Sequence, residues 1–197
     1  MTKTVDYYFS PASPWTYLGH DRFLAMAKAA GATVNVKVVN TRDVFAETGG
    51  LPMPQRHPAR LAYRMIELRR WRDYLQLPLN LEPKFFPVDD TPARQLIVAA
   101  RQAGADALGL ATALLRAVWA EERNIADRAT LEAIVGECGL SADLFEAAES
   151  QAVADEIAAN VKEAIERSVI GVPNYYIDGQ PHWGQDRLDF VERALKG

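Results

Sequence analysis

Ser13-Pro14-Trp15-Thr16 is where the side chains of this 197-residue sequence most directly offer chemistry. The segment follows a β-branched and aromatic run, Thr4-Val-Asp-Tyr-Tyr-Phe9, and opens a series of apolar residues at helical spacing, Trp15, Leu18, Phe23, Leu24 and Ala27. Serine followed by proline starts a helix well, because the hydroxyl caps a free backbone N–H and proline has no N–H to leave unpaired at the first position. The helix N-terminus so formed carries roughly half a positive charge and points free donors outward, which stabilises an anion such as a thiolate. A Cys-x-x-Cys pair at this junction would exchange disulfides. Here hydroxyl residues, Ser13 and Thr16, hold both places. The one cysteine, Cys138, allows neither an internal disulfide nor a thiolate metal cluster. A thiolate at this junction is therefore expected to come from a bound ligand, with glutathione the cytoplasmic candidate; the alternative is that Ser13 only caps the helix.

Two later segments add groups that fit such a ligand. In Gly171-Val172-Pro173-Asn174-Tyr175, proline begins a strongly β-forming run, which suits the first residue of a strand and permits a cis bond. Thioredoxin-like proteins carry a cis-proline facing the first helix, and the residue before it pairs its backbone with the cysteinyl part of a bound peptide. Val172 is expected to offer its N–H and C=O in that way, as the edge of a sheet does. His182-Trp183-Gly184-Gln185-Asp186-Arg187-Leu188 stands at another strand-to-helix junction, where backbone N–H groups can hold a carboxylate and the Asp186 carboxylate can accept from an ammonium group. The γ-glutamyl end of glutathione carries both.

These segments need a frame that brings them together. Thr4–Phe9 reads as a buried strand, Pro14 to Ala30 as a helix ended by Gly31, and Thr33–Val39 as an alternating strand, which makes a βαβ unit with parallel strands. A Gly- and Pro-rich loop around Gly49–Pro54 leads into residues 58–167, rich in Ala, Leu, Glu and Arg at helical period and broken mainly around Pro78–Pro92. Val172–Ile177, the Asp178-Gly179 turn and Pro181–Gly184 then read as a hairpin, and Gln185 to Leu195 as a last helix. The order implies an α/β protein with a thioredoxin-like fold, βαβ…ββα, whose discontinuous halves (1–57 and 168–197) pair into one sheet around a large all-helical insertion (58–167).

Composition narrows the partners. With 22 basic and 26 acidic residues, the net charge of −4 gives no footprint for nucleic acid or an anionic membrane. No apolar stretch reaches the roughly 18 residues a membrane helix needs, and no apolar signal region opens the sequence, so a cytoplasmic protein is expected. His20, His57 and His182 lack the spacing of metal ligands, and no metal is expected. Arg64, Arg69, Arg70 and Arg72 read as a solvated basic helix face, and Tyr7, Tyr8, Tyr175 and Tyr176 as core and sheet-face residues.

Ser-Pro-Trp-Thr-Tyr-Leu-Gly, Pro-Ala-Arg, Gly-Val-Pro and Trp-Gly-Gln-Asp-Arg-Leu, together with Ala120-Glu121-Glu122-Arg123-Asn124-Ile125, make the sequence resemble the 2-hydroxychromene-2-carboxylate isomerase family over nearly its whole length. That family belongs with kappa-class glutathione transferases in the DsbA-like group. The resemblance implies that Ser13 is the catalytic serine beside the glutathione sulfur. It implies further that Val172 and Pro173 contact the cysteinyl part, that Gln185 and Asp186 contact the γ-glutamyl part, and that Arg60 stands near the ligand where relatives often have lysine. It also implies an aromatic or unsaturated acid as substrate and a homodimer. The alternatives are a kappa-type transferase or peroxidase and a non-catalytic glutathione-binding protein. Three departures stand out: Ser10 and Pro11 replace the usual Asp-Phe, Gly49-Gly50 replaces Gly-Asn, and Asp89-Asp90 is an added acidic pair. If that pair faced the pocket it would repel a carboxylate substrate.

Overall fold

The computed structural model describes residues 2–197. Strand β1 (Thr4–Phe9) runs parallel to β2 (Thr33–Val38), and α1 (Pro14–Ala29) makes the crossover between them. On its other side β1 pairs antiparallel with β3 (Asn174–Ile177), which turns through Asp178-Gly179 into β4 (Gln180–Trp183), giving the sheet order β2-β1-β3-β4. Both turn residues have positive φ, 49° and 80°, the backbone that a two-residue hairpin loop of matching twist requires and that Asp-Gly tolerates.

Alternation along β1 decides which layer each side chain joins. Val5, Tyr7 and Phe9 face α1, where the Tyr7 ring lies parallel to that of Tyr175 at 5.3 Å and 4.7 Å from Phe23. Tyr8 points to the opposite face and packs with Val39, Val44, Ala164, Val169 and Val172. The helices α2 (Thr41–Thr48), α3 (Pro58–Leu75), α4 (Thr91–Gln102), α5 (Ala107–Trp119), α6 (Arg128–Glu137), α7 (Leu144–Ala148) and α8 (Gln151–Glu166) wrap this sheet. α4 and α5 complete the α1 side, while α2 and α8 cover the other. Leu96, Leu110 and Trp119 of the helical stretch share one apolar cluster with Val5 and Phe9 of the sheet, so the core is continuous between them.

Several elements differ in detail from their sequence expectation. Residues 41–48, unassigned above, form α2, started by the Asn40 side chain accepting from the Arg42 N–H. β3 begins at Asn174 rather than Val172, because Pro173 has no N–H for the ladder; the Val172–Pro173 bond is cis. The last helix starts as one 3₁₀ turn, Gln185–Arg187, before α9 (Leu188–Lys196). The helical stretch also breaks again before Asp106 and Asp127, which cap α5 and α6 by accepting from Gly109 N–H and Thr130 N–H, each at 2.8 Å. No described helix is long and apolar enough to cross a membrane.

Candidate active site

The N-terminus of α1 is set by a chain of bonds that starts at Ser10. Ser13 has extended backbone angles, φ −83° and ψ 123°, and its Oγ accepts the Thr16 N–H at 3.2 Å, while its own N–H donates to the Ser10 carbonyl at 3.1 Å. Ser10 is buried, and its hydroxyl donates to Asp90 Oδ2 at 2.6 Å. Asp90 Oδ1 in turn accepts from Arg94 Nε at 2.9 Å. The departure at Ser10 and the added acid at Asp90 thus form one contact, with the carboxylate supplied from 80 positions away. Because both Asp90 oxygens are engaged and Arg94 neutralises its charge, Asp90 presents no bare charge to a carboxylate ligand. Asp89 accepts the Thr91 N–H at 3.0 Å, and the hydroxyl and N–H of Thr91 hold its carboxyl below the usual range.

Thr16 occupies the second hydroxyl place. It is fully buried, and its Oγ1 has no hydrogen-bond partner among the described residues. Asn174 Oδ1, at the start of β3, is likewise buried and unpartnered. Such groups are uncommon in folded chains and cost about 1–3 kcal/mol each unless something meets them.

The register of β1 on β3 ends with Tyr8 opposite Asn174, two residues before Ser10 on one strand and two after Val172 on the other. Val172 is buried, yet its backbone N–H and C=O have no partner among the described residues. The Pro173 carbonyl accepts from the Gly184 N–H at 2.9 Å and so ties the end of the hairpin to this corner. Gly171 lies under the Trp183 indole, where a Cβ would stand 2.7 Å from Nε1.

Gln185 and Asp186 follow directly, and the structure gives them different surroundings. Gln185 is buried, with Oε1 accepting from an Arg22 guanidinium N–H at 2.9 Å, so its side chain anchors α1 and only its backbone is left for a ligand. Asp186 is exposed and pairs with Arg187 at 2.9 Å. Its Oδ1 folds back over Gly184, whose φ of +103° and absent side chain permit the approach: a Cβ there would be 2.4 Å away. Gly19 allows α1 to close on the same segment, since a Cβ on it would stand 2.7 Å from Gln185 Cβ and 3.0 Å from the Tyr175 hydroxyl. The glycine of the first motif is therefore what lets the helix that begins at Ser13 touch the segment that carries Asp186.

Arg60 is exposed on the first turns of α3. Arg64, one helical turn on, is half-buried rather than part of a solvated face, and burial followed by the charge of Arg56 pushes its guanidinium down to about 10. His20, set aside in the sequence, lies buried under the sheet corner: with Nε2–H donating to the Leu108 carbonyl at 3.3 Å, Nδ1 accepts the Tyr7 hydroxyl at 3.0 Å. Burial lowers its pKa, so it is a neutral structural link between β1 and α5. Cys138 caps the end of α6, where burial and then the neighbouring acids Glu137 and Asp106 push its thiol up, the opposite of an activated nucleophile.

The DSBA-like thioredoxin domain family matches residues 4–196. The 2-hydroxychromene-2-carboxylate isomerase of Sphingobium xenophagum is 30% identical over 99% of each chain, and that of Pseudomonas putida is 30% identical over 97% of this chain and 93% of its own. The chain belongs to the 2-hydroxychromene-2-carboxylate isomerase family. A solved 2-hydroxychromene-2-carboxylate isomerase superposes with a TM-score of 0.79 at 25% identity, covering 98% of this chain and 94% of that one. In this member of the isomerase family, Ser13 and Thr16 open α1, and α1 packs through Gly19 against the turn that carries Gln185 and Asp186.

Proposed function

We propose that this protein is a glutathione-dependent isomerase of 2-hydroxychromene-2-carboxylate or a closely related aromatic or unsaturated acid. The observation that carries the reading is a helix N-terminus opened by Ser13 after the strand that pairs with β3, just before which a buried Val172 has a backbone N–H and C=O with no partner among the described residues. A thiol tripeptide fits these groups. Its backbone pairs with Val172 as an added strand would, and its sulfur then meets the α1 terminus. The unpartnered Thr16 hydroxyl in the first turn suits the same occupant.

Bound glutathione would supply a thiolate able to add to the electron-poor carbon–carbon double bond once the hemiketal ring of the chromene has opened, so that rotation about the resulting single bond and loss of the thiolate leave the trans-benzylidenepyruvate. The chain's own groups prepare that thiolate. Ser13 Oγ already accepts from Thr16 N–H and keeps its hydrogen to donate to sulfur, and the helix terminus adds its positive end. Both favour the ionised form of the thiol at neutral pH. Asp186 is placed to accept from the γ-glutamyl ammonium, and the backbone of Gln185 to hold the α-carboxylate next to it. Arg60 serves a carboxylate further along the ligand.

The test is turnover of the chromene carboxylate with and without glutathione. The reading requires glutathione for turnover and no net loss of it. Conversion into a glutathione conjugate would instead mark a transferase, and tight glutathione binding with no turnover a binding protein.

A further inference from the structure

Most buried or half-buried cations elsewhere among the described residues have carboxylates beside them: Lys37 has Glu163 at 2.6 Å, Arg94 has Asp90 at 2.9 Å, Arg123 has Glu137 at 2.8 Å, and Arg167 has Asp6 at 2.5 Å, while Arg22 has the Gln185 amide oxygen at 2.9 Å. Arg56 and Arg64 are half-buried too, yet neither has an acidic partner among the described residues. Arg56 Nε donates to the Leu51 carbonyl at 2.6 Å, and the side-chain contact of Arg64 is a long one, 3.7 Å, to Met65 sulfur. The two are close enough that each positive charge bears on its neighbour: Arg60 on Arg56, and Arg56 on Arg64. A fold gains nothing from gathering three like charges at a partly dry surface unless an anion joins them.

Aromatic rings flank the cluster. The Arg64 guanidinium lies 5.7 Å from the centre of the Phe86 ring, and that of Arg56 lies 5.9 Å from Phe45. Phe86 is four residues before Asp90, whose carboxylate holds Ser10, so at most about 14 Å separates the backbone of Phe86 from that of the residue bonded to the loop before α1. The Ser10–Asp90 contact thus ties the segment that carries Phe86 to the loop before α1.

We propose that Arg64, supported by Arg56 and walled by Phe86 and Phe45, is the subsite for the carboxylate of the aromatic or unsaturated acid substrate, distinct from the position given to Arg60 on glutathione. This rests on the reading of the substrate class above. A guanidinium matches a carboxylate with two parallel hydrogen bonds, and a ring beside it suits a planar conjugated acid. The arrangement sorts ligands by charge: the acid is drawn in and its uncharged amide is not.

Calorimetry with trans-cinnamate and trans-cinnamamide, each added to the protein without glutathione, tests it. Wild type should bind the acid at least about tenfold more tightly than the amide. Arg64→Met should remove that preference, leave the affinity for glutathione unchanged, and raise the melting temperature, because an unpaired half-buried charge is gone. Arg64→Lys keeps the charge without the fork and should fall between. The proposal is overturned if cinnamate and its amide bind equally to wild type, or if Arg64→Met binds cinnamate as wild type does. It is also overturned if glutathione affinity drops in place of cinnamate affinity, since the cluster would then serve the tripeptide. Glutathione titration of wild type stands apart from these arms, and its failure would count against the cofactor and not against the acid subsite.

Discussion

Replacing Ser13 separates two jobs performed by one oxygen. Its Oγ accepts the Thr16 N–H at 3.2 Å, the long end of a normal hydrogen bond, and has one hydrogen left to donate. Alanine removes both functions. Loss of the cap should cost about 1 kcal/mol of stability, whereas glycine, a fair capping residue, should cost only a few tenths. Loss of a donor to a charged sulfur is worth about 1.5–3 kcal/mol, which corresponds to raising the bound thiol's pKa by roughly 1–2 units. Ser13→Ala and Ser13→Gly should therefore raise that pKa alike, while only Ser13→Ala unfolds at clearly lower urea. Thiolate absorbance of the glutathione complex against pH, measured beside urea unfolding of the free proteins, reads both quantities. Titration curves that match wild type in both variants would refute the argument and leave Ser13 a helix cap.

Asp186→Ala should weaken glutathione binding in calorimetry by about 1–3 kcal/mol with little change in melting temperature, because its bond to Arg187 is an exposed pair of small worth; unchanged affinity would place the ammonium elsewhere. Gly19→Ala should destabilise the protein by about 1 kcal/mol in urea unfolding, as roughly 2 kcal/mol of overpacking against Gln185 outweighs about 1 kcal/mol of gained helix propensity; a stabilised variant would contradict the close approach. His20 has a folded pKa below its ordinary 6.5 because burial disfavours its charged form. Below that pH the unfolded chain takes up the proton and the folded chain does not, so its contribution is complete above about pH 6.5 and falls towards the lower folded pKa, by up to about 1.4 kcal/mol per pH unit. Urea unfolding between pH 7.5 and 5 should show this slope, roughly, and His20→Gln should flatten it.

Where local residue order governs structure, the fold was legible in advance. β1 is Thr4–Phe9 as expected, and α1 and β2 each end within one residue of their expected limits, because Ser13-Pro14, Gly31 and the alternation of Thr33–Val38 act on their own neighbours. α2 escaped because eight mixed residues carry too few apolar positions to show a period. The strand order pairs β1 from one end of the chain with β3 from the other, which the βαβ…ββα reading already requires. What lay beyond reach depends on partners distant in sequence. Nothing local to Ser10 points to Asp90, nothing near Gln185 announces that Arg22 holds its side chain, and the arginine periodicity on α3 does not reveal that Phe86 lies against Arg64.

Glutathione dependence is decided by following the chromene carboxylate and glutathione together by proton NMR in one tube, with glutathione present in much smaller amount than substrate. Many turnovers to the trans-benzylidenepyruvate per glutathione are expected, with the free glutathione signals restored at equilibrium and no reaction when glutathione is left out. Full-rate isomerisation without glutathione, or a reaction that stops once one equivalent of glutathione has been consumed, would contradict the proposal.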